Sequence, residues 1–271
     1  MEKIAIISDI HGNLEALKEV LKDIEKRKIK RIFCLGDIIA KGVHPKECID
    51  LVKKNCEVVL QGNCDEYFSK EWLEKDKNET IIWNQKMLSD DDKSYLQSLP
   101  FCYEFYMSGS LIRMFHASPT KIDKPICFFN TIKEKYEQFL PSDKTKIKEK
   151  ADIVIYGHTH NQNLEKLYNR TLINIGSVGN TTEVIRNKEK DASTKEITQA
   201  HYLIIEGEYN SKVYESFLSF QFIRLPYNIQ KELETKKANI EKEEYEKEIL
   251  EGRYRDIEKI KKELDEKEVE F

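Results

Sequence analysis

The sequence predicts an α/β fold with parallel strands, and three observations support that class. Short β-branched runs alternate with helix-period segments three times in the first third of the chain, the pattern of right-handed βαβ crossovers. Several runs end in polar residues grouped with glycine, where open α/β sheets place their sites. Further strand-like runs, some paired as hairpins, follow in the second half.

Ile4 to Ser8 is a β-rich run that ends in Asp9-Ile10-His11-Gly12-Asn13. Asn13 suits the N-cap of a helix with Leu14, Leu17, Val20, Leu21 and Ile24 on one face. Arg31 to Leu35 is a second strand and stops at Gly36-Asp37. Pro45 suits the first turn of the next helix, which carries Cys48, Ile49 and Val52. Glu57 to Leu60 is a third strand and runs into Gln61-Gly62-Asn63-Cys64-Asp65. Residues 66 to 100 read as a helical insertion holding Trp72 and Trp83, with a helix start at Ser89 and an end at Leu99-Pro100. The two tryptophans suit core packing of that insertion better than a base pocket. Cys102 to Met107 and Leu111 to Phe115 are strands joined through Ser108-Gly109-Ser110, a three-residue hairpin connection, and the second ends at His116. A helix is expected from about Thr131 to Leu140. Ile153 to Tyr156 is a buried strand ending in Gly157-His158-Thr159-His160. Leu164 to Tyr168 and Thr171 to Ile175 form a hairpin about Asn169-Arg170. Strands are expected at His201 to Glu206 and Lys212 to Phe217, with a third near Phe222 to Leu225.

The composition narrows the class further. At 271 residues the chain makes one large domain or two small ones. Charged residues reach 35%, above the usual quarter or so, but 45 Lys plus Arg stand against 49 Asp plus Glu. The net charge of -4 lacks the basic surplus of a nucleic-acid footprint, so nucleic acid is not an expected partner. No run approaches the ~18 apolar residues of a membrane span, and the N-terminus does not open on a basic segment with an apolar signal core. The six cysteines form no CxxC pair. A cytoplasmic chain with reduced thiols is therefore expected.

Seven residues of ligand type stand at the ends of the expected strands: Asp9, His11, Asp37, Asn63, His116, His158 and His160. They include four of the six histidines of the whole chain, which a random scatter would not place there. Carboxylate, amide and imidazole suit Mn, Fe, Zn or Ni and exclude a thiolate site. Seven ligands exceed one tetrahedral zinc. They suit two ions that share a bridging carboxylate and hold a phosphoryl group and a hydroxide between them.

The blocks that carry these residues resemble the calcineurin-like metallophosphoesterase superfamily. They are SDIHGN at Ser8 to Asn13, GD at Gly36-Asp37, GNCD at Gly62 to Asp65, HASP at His116 to Pro119, GHTH at Gly157 to His160 and NIGSVG at Asn174 to Gly179. In detail the chain is similar to the compact bacterial phosphodiesterase branch, where GNCD often stands for GNHE. The resemblance implies a four-layer α/β/β/α sandwich over residues 1 to 226, two packed sheets flanked by helices. It implies that Asp9, His11 and His160 hold one divalent ion, that Asn63, His116 and His158 hold another, and that Asp37 bridges them. A hydroxide between the ions would attack phosphorus in line, with Mn the expected metal. Asp37, Asn63 and Asp65 are the candidate catalytic residues, Asp65 as a group that orients its neighbours or a plain helix-start carboxylate. The substrate implied is a small phosphoester, with nucleotide-derived esters among the candidates.

Three departures bear on specificity. Cys64 replaces the histidine of GNHE that contacts phosphate or protonates the leaving group, which favours diester or activated substrates over alkyl monoesters. The block at Gly36 reads GDIIAKG, without the Asp and Arg of GDxVDRG, which argues against phosphoprotein and symmetrical dinucleoside tetraphosphate substrates. Ile175 replaces the proline of NPGS. A phosphomonoesterase or dinucleoside polyphosphate hydrolase is the nearest rival. A scaffold subunit on the same fold, as in the retromer small subunit, is the rival from another class, and the complete ligand set argues against it. Lys41 and His44 lie after Asp37, on a loop expected to be solvated.

Residues 227 to 271 form a charged helical C-terminal extension, with one glycine and no proline from Gln230 to Glu270. Its apolar steps, such as Leu250-Tyr254-Ile257 and Ile257-Ile260-Leu264, fall short of the heptads of a coiled coil. A homodimer through these helices is one expectation. A salt-bridged helix laid along the domain is the other.

Overall fold

Residues along the first strand alternate between two apolar environments, and that alternation builds the architecture. In the structure, a computed structural model that describes residues 1–69, 79–127, 129–182, 198–234 and 242–252, Ile4 and Ile6 of β1 (Glu2–Ile7) face one core and Ala5 and Ile7 face another. A strand buried on both faces belongs between a second sheet and a helical layer.

The helical layer comes first in the chain. Helix α1 (Leu14–Lys26) starts at Asn13, whose side chain accepts from the Ala16 N–H at 3.1 Å, and buries Leu17, Val20 and Ile24 against β1. It leads to β2 (Arg31–Cys34), α2 (Pro45–Asn55) and the short β3 (Val58–Val59). The insertion supplies α3 (Asn63–Ser69), α4 (Glu79–Met87) and α5 (Asp90–Ser98), the last started by a capping box of Ser89 and Asp92. Asn63 itself opens α3, three residues before the expected insertion boundary. Trp83 donates to the Val43 carbonyl at 3.4 Å, so it braces the loop after β2, while Trp72 lies outside the described residues.

The second half builds the other sheet. Strands β4 (Cys102–Met107) and β5 (Ser110–Phe115) pair with Met107 opposite Ser110, so the turn is Ser108-Gly109 alone. Both residues have positive φ, the two-residue geometry that matches strand twist, one residue shorter than the sequence suggested. Then come α6 (Ile132–Glu137), capped by Thr131, and β6 (Ile153–Tyr156). The hairpin of β7 (Gln162–Leu167) and β8 (Arg170–Ile175) turns at Tyr168-Asn169, one residue before the expected place. Strands β9 (Ala200–Gly207) and β10 (Ser219–Leu225) return to the first sheet. The expected strand at Lys212 to Phe217 is instead part of the connection between them. Val213, Tyr214 and Phe217 are more than half exposed there, and the Tyr214 ring lies over Gly109 of the β4–β5 turn, so the segment packs as a loop and not as a strand.

The sheets run β10-β9-β1-β2-β3 and β4-β5-β6-β8-β7. Within them β1, β2 and β3 are parallel, as are β5, β6 and β8. Ile4, Ile6, Phe33, Met114, Ile155 and Ile173 meet between the sheets, and Phe115, Val154, Leu172 and Phe139 form the outer core beneath α6. The result is the four-layer sandwich that the family resemblance implied. After β10, α7 (Ile229–Leu233) and α8 (Lys242–Glu251) pack Ile229, Tyr245 and Ile249 into the same core as α1. Tyr254, Ile257, Ile260 and Leu264 lie outside the described residues.

Candidate metal centre

The parallel strands of both sheets end at one edge, and every candidate ligand follows such an end. Asp9 and His11 follow β1, Asp37 follows β2, Asn63 follows β3, His116 follows β5, and His158 and His160 follow β6. Backbone hydrogen bonds tie these loops together: the Asp9 N–H to Gly36 O at 3.0 Å, the His11 N–H to Asp37 O at 2.9 Å and the Gly157 N–H to His116 O at 2.9 Å. The loops after β8 join them through the Val178 and Gly179 N–H groups, which donate to the Ser8 and Asp9 carbonyls.

The structure brings all seven expected ligands together. Asp9, His11 and His160 present ligand atoms within 4.8 Å of one another, and so do Asp37, His116 and His158. Asn63 Oδ1 lies 3.0 Å from His116 Nε2, beside the second group. Asp37 Oδ2 stands between the groups, 3.6 Å from His11 Nε2 and 3.5 Å from His116 Nε2. Cys64 Sγ also falls within 4.8 Å of ligand atoms of His11 and Asp37. Five of the seven residues, Asp9, His11, Asp37, His158 and His160, have left-handed backbone with φ between 51° and 66°. Such strain costs about 1–3 kcal/mol per residue and persists where the surroundings over-determine it.

The donor set fits cations. His11 Nδ1 lies 3.3 Å from Ile39 O, His116 Nδ1 lies 3.0 Å from Leu35 O and His160 Nδ1 lies 3.1 Å from Asn180 Oδ1. Each acceptor holds a ring proton on Nδ1 and turns Nε2 inward, as the nitrogen a cation would take. The Nε2 atoms of His11 and His160 then face each other at 3.0 Å, an arrangement that calls for a positive charge beside them. Among the described residues Asp9 Oδ1 is buried without a hydrogen-bond partner, 3.2 Å from His160 Nε2, whereas Asp9 Oδ2 accepts from the His158 N–H at 3.0 Å. A buried carboxylate oxygen left without a hydrogen bond among imidazoles suits an ion.

The electrostatics agree. Burial opposes ionisation of Asp9 and Asp37, but the imidazoles of His160 and His116 outweigh it and hold both carboxyls below their ordinary range. Burial lowers His11 to about 3 and, with the charge of His116, lowers His158 to about 4. Burial also disfavours charge on His116, but Asp37 beside it prevails and raises it to about 9. Burial and the nearby Asp37 push the Cys64 thiol well above its ordinary value.

Asp65 stands behind the ligands. Its Oδ1 accepts from the Ile38 N–H at 2.9 Å and its Oδ2 from the Gly62 N–H at 3.0 Å, so both oxygens brace the loops that carry Asp37 and Asn63. Burial, then the charge of Asp37, raises it to about 7. Lys41, read as a solvated loop residue, instead binds Asn180 Oδ1 at 3.0 Å and Glu248 Oε2 at 3.3 Å. His44 precedes α2 and lies 3.4 Å from Glu47. The sequence reading missed Asn180 and Glu248. Asn180 directly follows the NIGSVG block, a signal that could have found it; Glu248 had none.

The comparisons with known proteins agree with this geometry. Residues 2–210 match the family model for the calcineurin-like phosphoesterase superfamily domain. The uncharacterized protein MJ0912 of Methanocaldococcus jannaschii is 32% identical over 250 residues, covering 85% of this chain and 90% of that one. The crystal structure of hypothetical protein PH1004 from Pyrococcus horikoshii OT3 superposes with a TM-score of 0.71 at 18% identity, covering 94% of this chain and 100% of that one. A metallophosphoesterase from Sphaerobacter thermophilus superposes at 0.62 with 22% identity, covering 85% and 91%. At those identities the two structures show a common fold, and the family match over most of the length completes the assignment: the chain belongs to the calcineurin-like phosphoesterase superfamily.

Proposed function

We propose that this protein is a binuclear metal-dependent phosphodiesterase. The observation that carries the reading is the placement of Asp37 Oδ2 at nearly equal distances from one histidine of each ligand group, where a single carboxylate can serve two ions. Asp9, His11 and His160 would hold one divalent ion, Asn63, His116 and His158 the other, with Mn as the expected metal. Two such ions supply an activated water and neutralise phosphoryl oxygens.

The chain's own residues supply the rest. Carbonyl acceptors at Leu35 and Ile39 fix the rings of His116 and His11, and the Asn180 amide fixes His160. Asp65 holds the two loops in register. Cys64 stands at the histidine position of the family block GNHE. A neutral thiol neither pairs with a phosphate as an imidazolium does nor readily protonates a departing alkoxide. That supports diesters or esters with good leaving groups, nucleotide-derived ones among them, over alkyl monoesters.

The test compares initial hydrolysis rates on bis-p-nitrophenyl phosphate and p-nitrophenyl phosphate, with metal-stripped protein given Mn and Asp37→Ala as control. A diester preference that disappears in the variant supports the reading. A monoester preference would make the protein a phosphomonoesterase, and no turnover of either substrate with metal bound would shift weight to a narrow natural substrate or to a scaffold.

A further inference from the structure

The orientation of the Asn180 side chain is fixed by two neighbours that leave no ambiguity. Lys41 Nζ can only donate, and it lies 3.0 Å from Oδ1. The Glu248 carboxylate can only accept, and its Oε2 lies 2.8 Å from Nδ2. The amide therefore turns its oxygen toward His160 Nδ1 at 3.1 Å. An acceptor at that place requires a proton on His160 Nδ1, so Nε2, which faces Asp9 Oδ1 and His11 Nε2, is the ring nitrogen open to a cation. Asn180 and Glu248 are both buried, so water does not compete for these bonds. Glu248 belongs to α8, which Tyr245 and Ile249 anchor in the helix-side core.

We propose that Glu248 is a positioning residue of the metal centre: from the C-terminal helix, through Asn180, it selects the His160 tautomer whose Nε2 binds a cation. The proposal rests on the metal-centre reading above. It gives the C-terminal segment a task at a site whose ligands all lie before residue 161. A Glu248 that only fastened α8 to the domain would affect folding and leave the ligand alone.

The experiment titrates metal-free wild type, Glu248→Leu and Glu248→Gln with Co(II), reading stoichiometry and affinity from visible absorption. Long-range proton–nitrogen spectra of the metal-free proteins report the His160 tautomer. Wild type should show the Nδ1–H form and take up two ions. Glu248→Leu should show mixed tautomers and bind one ion about 10–100-fold more weakly, with the other ion unaffected. Glu248→Gln keeps an acceptor carbonyl for Asn180 and Lys41 and should stay close to wild type. Unchanged affinities and tautomer in a folded Glu248→Leu would overturn the proposal. So would an Nε2–H form in wild type, which needs no variant. A wild type that takes up no ion would overturn the metal-centre reading itself, and the proposal with it.

Discussion

The Cys64 backbone N–H donates to Asp37 Oδ1 at 2.8 Å, which occupies one oxygen of that carboxylate and leaves Oδ2 facing His11 and His116. The bond comes from the backbone, so it does not depend on the thiol. Cys64→Ala should therefore keep two metals per chain. Asp37→Ala removes the shared oxygen and should lower hydrolysis by about a thousandfold or more, the equivalent of several kcal/mol of charge stabilisation. Metal content by mass spectrometry, beside rates, separates the two variants. A metal-depleted Cys64→Ala would show that the thiol itself is a ligand.

If the proposed centre binds metal, His116 should set the pH dependence of that binding. Raised to about 9, its ring carries a proton at neutral pH in the metal-free protein, and a cation at Nε2 must displace it. His11 and His158, lowered to about 3 and 4, are already neutral there and release nothing. Affinity should rise with pH up to about 9, by close to tenfold per pH unit, and then level off. Calorimetric titration at pH 7 in two buffers of different ionisation enthalpy counts the protons. A count of zero contradicts this account.

The convergence of the strand-end candidate ligands was legible because sequence order maps directly onto the parallel strands of both sheets. Asp9, Asp37, Asn63, His116 and His158 each follow a short apolar run, and that run fixes where the ligand comes to lie. The sandwich itself rested on family resemblance, since Ile4 and Ile6 read as apolar whatever they face. Turn lengths were less legible. Ser108-Gly109 and Tyr168-Asn169 are both two-residue turns, and placing them requires the register of the paired strands. Lys212 to Phe217 has strand-like residues, but they lie as a mostly exposed loop with Tyr214 over Gly109, which a local pattern cannot reveal. Glu248 meets Asn180 across 68 residues of chain, and the left-handed backbone of His158 or His160 leaves no mark in composition.

Gly62 is required for a different reason from the ligands beside it. A Cβ there would lie 2.2 Å from both Asp37 N and Asp37 Oδ1, closer than any real contact. Gly62→Ala should push the carboxylate off its position, lower stability by about 1–3 kcal/mol through overpacking and reduce metal content. Thermal melts and metal analysis check it together. A variant with normal metal content would mean that the backbone yields in place of Asp37.

Glu232, on α7, is buried between the start of α1 and α8. Its Oε2 accepts from the Glu15 N–H at 3.3 Å and its Oε1 from the Tyr245 hydroxyl at 3.4 Å. Burial pushes its carboxyl up to about 7 from an ordinary 4.5. Between those values the folded chain keeps a proton that the unfolded chain has lost. This group therefore makes stability fall as pH rises from 4.5 through 7. Glutamine has the same shape and stays neutral; its carbonyl accepts from Glu15 while its amide donates to the Tyr245 oxygen. Glu232→Gln should leave stability nearly unchanged at pH 5 and raise it at pH 8 by on the order of 2 kcal/mol. Thermal melts of both proteins at the two pH values test this. A difference independent of pH would mean that Glu232 is ionised in the folded chain, held there by the N-terminal end of α1.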